Sequence, residues 1–472
     1  MNRLKKNTSA WIDETDSDNT ICASVSVKNI WSIILHRDFQ ILVRFAIMLA
    51  VIGSSENIYA TNFVNMRTVP LLSDREIQAK VEELHQHIWK YFYHPKVSLL
   101  YDYIAPLKEK DRWGHLPTVE EVKASKPNVC GWGTGMEDGA LNGGAYLAGM
   151  VYRYEVTGQL DHAEDARKIY EGLRLLGTIS ERKGFIARSV LPDGKTYYTN
   201  SSVDQYTMYV CGLYTYYHSS IATEKEKAQI RLIMHNICTR IEDDGFDNIL
   251  TNVGKPALVS EIGAFRHDRS SRLLEMYRVG YDMTGDTHWL DIYQEKLAEN
   301  HYTRLRNITT PFKQNVYGIL QNQASLILLL ELETSLPIKA SYLEAMRLNT
   351  NLVSDRVTMF REYNPKIHSD NYKLGGWRKG ENGGLLSIER KPVRDPCEAL
   401  VVMLLARDKY LTEPYPYKGE QEKLYTDYLR NITRELLSTY DFPKMRTFGA
   451  FYAEIAYWLA VKQGLFEYMP GK

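Results

Sequence analysis

Two stretches of this chain close a helical period with the same pattern. Tyr154-Glu155-Val156-Thr157-Gly158 recurs as Tyr281-Asp282-Met283-Thr284-Gly285, and Tyr217 falls about midway between them. The implied repeat of roughly 60 residues is one pair of helices with its connections, and a chain built from such units is restricted to solenoids and closed arrays. Glycine one step past the last periodic residue is the expected helix stop, because it enters the left-handed conformation without a Cβ penalty.

From Leu71 onwards the apolar residues follow helical periods, and no convincing strand alternation interrupts them. Helices are predicted near 73–91, 138–156, 161–176, 203–219, 223–241, 270–283, 288–304, 314–333, 340–357, 396–409, 419–440 and 446–462. Ser73 with Glu76 has the form of a capping box, and Thr223 is the cap expected for the fifth helix. The connections alternate in length. Those after even-numbered helices are short, whereas 92–137, 177–202, 242–269 and 358–395 are long. Short turns at one end and long loops at the other describe an all-α fold, an (α/α)6 toroid of six helical hairpins with one elaborated face, where function is expected. Residues 61–472 read as this single domain. The even-numbered helices would form the inner ring. In the second, Gly139, Ala140, Gly143, Gly144, Ala145, Ala148 and Gly149 would let backbones approach closely, which offsets the roughly 1 kcal/mol each internal glycine costs a helix. No strand precedes these glycines and no Lys-Ser/Thr follows, so they do not read as a nucleotide loop.

Residues 1–60 read as an extension and a secretory signal. The run 41–53 is apolar apart from Arg44, too short to span a bilayer comfortably, follows His36 and Arg37, and leads to a cleavage point near Ala60. A secreted, periplasmic or cell-surface protein with no membrane span after processing is the expectation. Cys22, Cys130, Cys211, Cys238 and Cys397 are odd in number and scattered, with neither a disulfide framework nor a metal-binding spacing, and nothing points to a metal or organic cofactor. Lys and Arg total 58 and so do Asp and Glu, so the formal net charge of +0 leaves no electrostatic footprint for nucleic acid. The chain carries 33 Tyr and 8 Trp, a composition that suits sugar-binding pockets and equally suits a core.

Inner helices that start at one face bring their first residues to one cavity. Those starts supply Glu137 and Asp138, then Asp204, Gln205 and Tyr206, then His267 and Arg269, Asn315, Arg394 and Arg446; Trp132, Asn142, Trp377 and Arg378 join them from nearby. Arginines for a carboxylate, amides for hydroxyls and tryptophans for ring faces make a pocket for an acidic sugar, with oligosaccharide as the expected partner. Asp204, Asp138 and Glu137 are the catalytic candidates. As alternatives, Asp204 or Ser202 could cap the fourth helix, and Asp138 or Thr134 the second. Two carboxylates facing one cavity raise each other's proton affinity, while helix N-termini favour the ionised forms. His115 and His267 are weaker candidates for a general base.

Gly135-Met136-Glu137-Asp138-Gly139, Tyr154-x-x-Thr157-Gly158, Gly184-Phe185-Ile186 and Asp204 heading an aromatic helix together resemble the six-hairpin glycosidases. The layout is most similar to that of the unsaturated glucuronyl and rhamnogalacturonyl hydrolases, over about 132–220 in detail and elsewhere as helix pairs. The resemblance implies hydration of the vinyl ether of a 4,5-unsaturated uronic acid, with Asp204 as main proton donor and water activator and Asp138 in support. Glu137 beside Asp138, and Gln205 after Asp204, depart from the family pattern and leave Glu137 open as the working acid. The expected function is therefore a carbohydrate-active hydrolase of acidic oligosaccharides using carboxylate acid/base catalysis. The alternatives are a polysaccharide lyase on the same toroid, with a base among Tyr206, His115 and His267 and with Asn142 beside the uronate, or a non-catalytic glycan-binding protein.

Overall fold

The computed structural model describes residues 70–104, 112–312, 314–365, 376–379, 389–412 and 420–470. The expected signal segment and its cleavage point lie outside the described residues. The fold is all-α. Its helices are α1 (Asp74–Tyr91), the short α2 (Val119–Lys123), α3 (Gly139–Thr157), α4 (Leu160–Thr178), α5 (Val203–His218), α6 (Glu224–Asp243), α7 (His267–Thr284), α8 (Thr287–Ile308), α9 (Val316–Leu332), α10 (Leu336–Val353), α11 (Asp395–Thr412), α12 (Glu420–Thr439) and α13 (Gly449–Lys462). Among the described residues the strands are β1 (Tyr93–His94) and β2 (Leu99–Leu100), an antiparallel pair too short to show any alternation in sequence. No helix of the described residues is long and apolar enough to cross a membrane.

Local signals set most boundaries. Ser73 with Glu76 and Thr223 with Glu226 form reciprocal capping boxes at α1 and α6. Gly158 and Gly285 end α3 and α7 at φ 63° and 72°, each donating its N–H back into the last turn. Elsewhere the chain departs from expectation. Helix α10 starts at Leu336 rather than 340, because Pro337 suits a first turn where its missing N–H is not needed. Helix α8 loses helical geometry over Glu299–Tyr302 before one more turn to Ile308.

Helices α3, α5, α7, α9, α11 and α13 each pack against the next, and α13 returns to α3. They are the ones buried on most sides: in α13 every residue from Gly449 to Val461 is buried. The intervening helices bury a single stripe, as with Ile230, Ile233, Met234, Ile237 and Ile241 of α6. The closest approach joins α3 to α5. A Cβ on Gly144 would lie 2.1 Å from the Met208 carbonyl oxygen, and one on Gly212 would lie 2.4 Å from the Gly144 carbonyl oxygen. The glycines of α3 are therefore helix-packing residues.

A buried ionic cluster joins α13 to α1 and α3. Glu454, fully buried, accepts from the Tyr146 hydroxyl at 2.7 Å and lies 2.9 Å from His85 Nδ1 and 3.5 Å from Arg153. Asp165 flanks the other His85 nitrogen at 3.3 Å, and Arg153 pairs with Glu82 at 2.6 Å. Burial pulls the His85 pKa down, but Glu454 and Asp165 overcome it and leave it raised. Burial pushes Glu454 up, but His85 and Arg153 overcome it and leave it lowered. Nearby His162 is depressed to about 4 by burial and by Arg153.

Two predictions follow from this packing. Gly144→Ala should lose about 3 kcal/mol in urea unfolding, because the obstructing atoms are backbone. Gly158→Ala, with open space around its Cβ, should lose only about 1–2 kcal/mol from left-handed strain; equal losses would contradict the close helix contact. The raised His85 pKa gives stability that is full below about pH 6.5 and is lost as pH rises through its folded value. Glu454 contributes above about pH 4.5 and fades as pH falls through its lowered value, and His162 removes stability between about 6.5 and 4. The difference in unfolding free energy between wild type and His85→Gln should therefore shrink as pH rises from about 6.5 through the folded His85 value, and a difference that grows with pH would refute the charged pair.

Candidate functional site

The start of α3 is organised by a residue that the motifs did not single out. Asp102, fully buried, accepts the backbone N–H groups of Glu137 at 2.8 Å and Asp138 at 2.9 Å, and the Asn142 amide at 2.7 Å. Asp138 makes no capping bond of its own: the Ala140 and Leu141 N–H groups it would cap donate to the Arg188 carbonyl at 2.9 Å and to Gln205 Oε1 at 3.1 Å, and Thr134 bonds back to the Gly131 carbonyl. Burial, then the Asp138 charge, push the Asp102 pKa up to about 7 against these three donors.

Asp138 is instead aimed outward and clamped on one side. Its Oδ1 accepts from Arg188 Nη2 at 2.8 Å and from Gln205 Nε2 at 2.8 Å. Its side chain is 21% exposed, and no hydrogen bond among the described residues uses Oδ2. Arg188 also donates to the Glu137 carbonyl at 2.6 Å and to Ser202 Oγ at 3.1 Å, tying the loop before α5 to the start of α3. Glu137 is buried, with Oε2 accepting from the Gly133 N–H at 2.6 Å. Burial, with Asp138 and Asp102 close by, raises its pKa well above the usual carboxylate range.

Asp204 repeats the arrangement on α5. Its Oδ1 lies 2.6 Å from Arg272 Nη1 and 3.8 Å from Arg269 Nη1, and its side chain is 18% exposed. It does not cap α5, and neither does Ser202. The two aspartates are linked through Gln205, which follows Asp204 in the chain, bonds Asp138, and accepts from the Leu141 N–H at 3.1 Å.

Helices α11 and α13 bring a third set. Arg394, just before α11, donates from Nε to Glu398 at 2.8 Å and lies against the rings of Phe448 and Tyr317, at 4.5 and 5.0 Å from their centroids. Burial pushes the Glu398 pKa up to about 7, against the pull of Arg394. The buried Tyr452 hydroxyl donates to Asn142 Oδ1 at 3.1 Å, and the charges of Glu398, Asp138 and Asp102 act on it.

The other expected residues are placed differently. Tyr206 is fully buried, its hydroxyl donating to the Gly184 carbonyl at 2.8 Å and accepting from the Ile186 N–H at 3.2 Å, so it serves the loop. His267 is buried against Asn322 at 3.1 Å, and burial lowers its pKa. His115 is buried with its ring 5.9 Å from that of Tyr103. Trp377 donates to the His115 carbonyl at 3.0 Å, and Arg378 grips Glu121 with two bonds of 2.8 Å, so this pair fastens its segment to α2. The Arg446 N–H donates to Glu389, Asn315 precedes α9 exposed, and Trp132 is 43% exposed.

Sequence reading missed Asp102, Arg188, Arg272, Glu398 and Tyr452. Arg272 had a signal: it lies one helical turn from Arg269 on α7. Asp102 had none beyond being a carboxylate between tyrosines.

Two described cavities lie between the helices α3, α5, α9, α11 and α13. One of about 60 Å³ is lined by Gly144, Met208, Cys211, Ala324 and Tyr452 among others. It shares Tyr152, Thr215 and Leu405 with another of about 250 Å³ at the short-turn end, where Lys462 pairs with Glu155 and Lys409 with Glu331. Those charges neutralise each other, whereas at the starts of α3 and α5 two carboxylates keep an open oxygen. No protein-family model matches the sequence, and no curated protein matches it.

Asp102→Asn should cost about 1–3 kcal/mol in denaturant unfolding, because an amide N–H₂ would face the donors that the carboxylate now accepts. An unchanged midpoint would show that Asp102 does not hold the α3 start.

Proposed function

We propose that the protein is a carbohydrate-active hydrolase of acidic, uronate-containing oligosaccharides, built on an (α/α)6 toroid of the six-hairpin glycosidase type. The observation that carries this reading is the pair Asp138 and Asp204. Each stands at the start of an inner helix, each has one oxygen clamped by a buried arginine, and each is partly open to solvent. The cyclic contact of six helices and the alternation of short and long connections support the toroid.

In this reading the proton is held by Glu137, whose proton affinity is raised by burial and by the neighbouring Asp138 and Asp102. Environments that push neighbouring carboxyls apart in pKa are how one site supplies both an acid and a base. Asp138 and Asp204 orient water and stabilise the positive charge that develops on the sugar. On a 4,5-unsaturated uronyl end, the proton goes to C4 and water adds at C5. The resulting hemiketal opens by breaking the C5–ring-oxygen bond, which leaves a C5 ketone and a C1 hemiacetal, and that hemiacetal collapses to the aldehyde with release of the glycosidic oxygen as the alcohol. Secretion or periplasmic residence belongs to the same proposal and rests on the N-terminal sequence.

Incubation with an unsaturated uronyl oligosaccharide should remove the ultraviolet absorbance of the double bond. Asp138→Asn and Asp204→Asn should each lower kcat/KM by about 10²–10⁴-fold with the fold retained. If Glu137 is the acid, Glu137→Gln should do the same and remove the alkaline limb of the pH–rate profile. A rise in absorbance on an intact uronate polymer would assign a lyase instead. Full turnover in the Asp138→Asn/Asp204→Asn double variant would refute the site.

A further inference from the structure

An acidic substrate needs a cation, and most arginines near the site already have their donors committed. Arg188 is taken by Glu137, Ser202 and Asp138, Arg272 by Asp204 and the Gly318 carbonyl, and Arg378 by Glu121. Arg269 lies 3.2 Å from Asp268 as well as near Asp204. Arg394 differs. Its Nε is fixed by Glu398, its plane rests against Phe448 and Tyr317, and neither Nη is hydrogen-bonded among the described residues. Its side chain keeps 15% of its surface exposed. Asp138 is near enough for its charge to act on Arg394, and the Phe448 N–H donates to the Asp102 carbonyl at 2.9 Å, so the aromatic wall and the α3 start are one unit.

We propose that Arg394 is the specificity residue that receives a substrate carboxylate, in bidentate fashion on its Nη1/Nη2 edge, beside Asp138. A guanidinium held at Nε and against two rings offers one remaining edge, and that edge matches the planar spacing of carboxylate oxygens. The orientation is prepared before binding, so little ordering cost remains. The ligand class rests on the sugar-hydrolase reading; the position of the anion rests on Arg394 itself.

The test reads binding rather than turnover, so that the two can fail separately. D-glucuronate, D-glucose and glucose 6-sulfate are titrated against the full-length protein by calorimetry or ligand-observed NMR. Wild type should bind glucuronate at least tenfold more tightly than the other two. Because removing Arg394 alone would strand Glu398 as a buried charge, the key variant is Arg394→Gln/Glu398→Gln, with circular dichroism to confirm folding. It should bind glucuronate and glucose equally, and Arg394→Lys should lose most of the preference because an ammonium lacks the fork. Retention of the preference in the double variant, its absence in wild type, or sulfate binding as tight as glucuronate would each overturn the assignment. Absence of hydrolysis with the glucuronate preference intact would instead remove the hydrolase reading and leave this one standing.

Discussion

The candidate site depends on one buried carboxylate. Asp102 accepts three donors from the start of α3, its own N–H donates to the Gly135 carbonyl, and its carbonyl accepts from Phe448 at the head of α13. One residue thus joins the loop before α3, the first turn of α3 and the entry to the last helix. A buried carboxylate is costly unless its oxygens are satisfied, and here the two backbone N–H groups at the entry to α3 and the Asn142 amide satisfy them. The next donors along, the N–H groups of Ala140 and Leu141, go to the Arg188 carbonyl and to Gln205, so Asp138 is released from the capping role its position would otherwise impose.

That release sorts the acids by environment. Glu137 is enclosed and holds its proton to higher pH, while Asp138 and Asp204 reach solvent with a guanidinium on one oxygen. Neighbouring residues of one segment thereby acquire different chemistry through burial and through which donors reach them. The Glu454 cluster has a complementary role at the seam between α13 and the first hairpin, where His85 and Arg153 balance a carboxylate that faces no solvent.

Much of the fold was legible in the sequence, because helices are written locally. The twelve predicted helices correspond to α1 and α3–α13, and the Thr-Gly stops and the capping boxes at Ser73 and Thr223 fall where read. The glycines of α3 were readable as packing residues since nothing else explains their cost. The short strands and α2 were not legible, being too brief to carry a period. Within the site, Asp138, Glu137, Asn142 and Gln205 were found and do meet one another. Asp102 was not, since its importance comes from partners distant in the chain; Glu398 was not either, although its partner Arg394 lies one helical turn away, because only the fold buries the pair. Tyr206 shows the converse limit: its place at a helix start was readable, but the direction of its hydroxyl, into the Gly184–Ile186 loop, is a tertiary fact.

A hydrolase of this kind must hold its sugar against the Asp138 face. A crystal structure of Asp204→Asn soaked with a uronate-terminated oligosaccharide tests that directly. The terminal sugar should lie at the starts of α3 and α5, within hydrogen-bonding reach of Asp138. Electron density for the sugar in the cavity beside Glu155, Glu331, Lys409 and Lys462, with the Asp138 face empty, would contradict it.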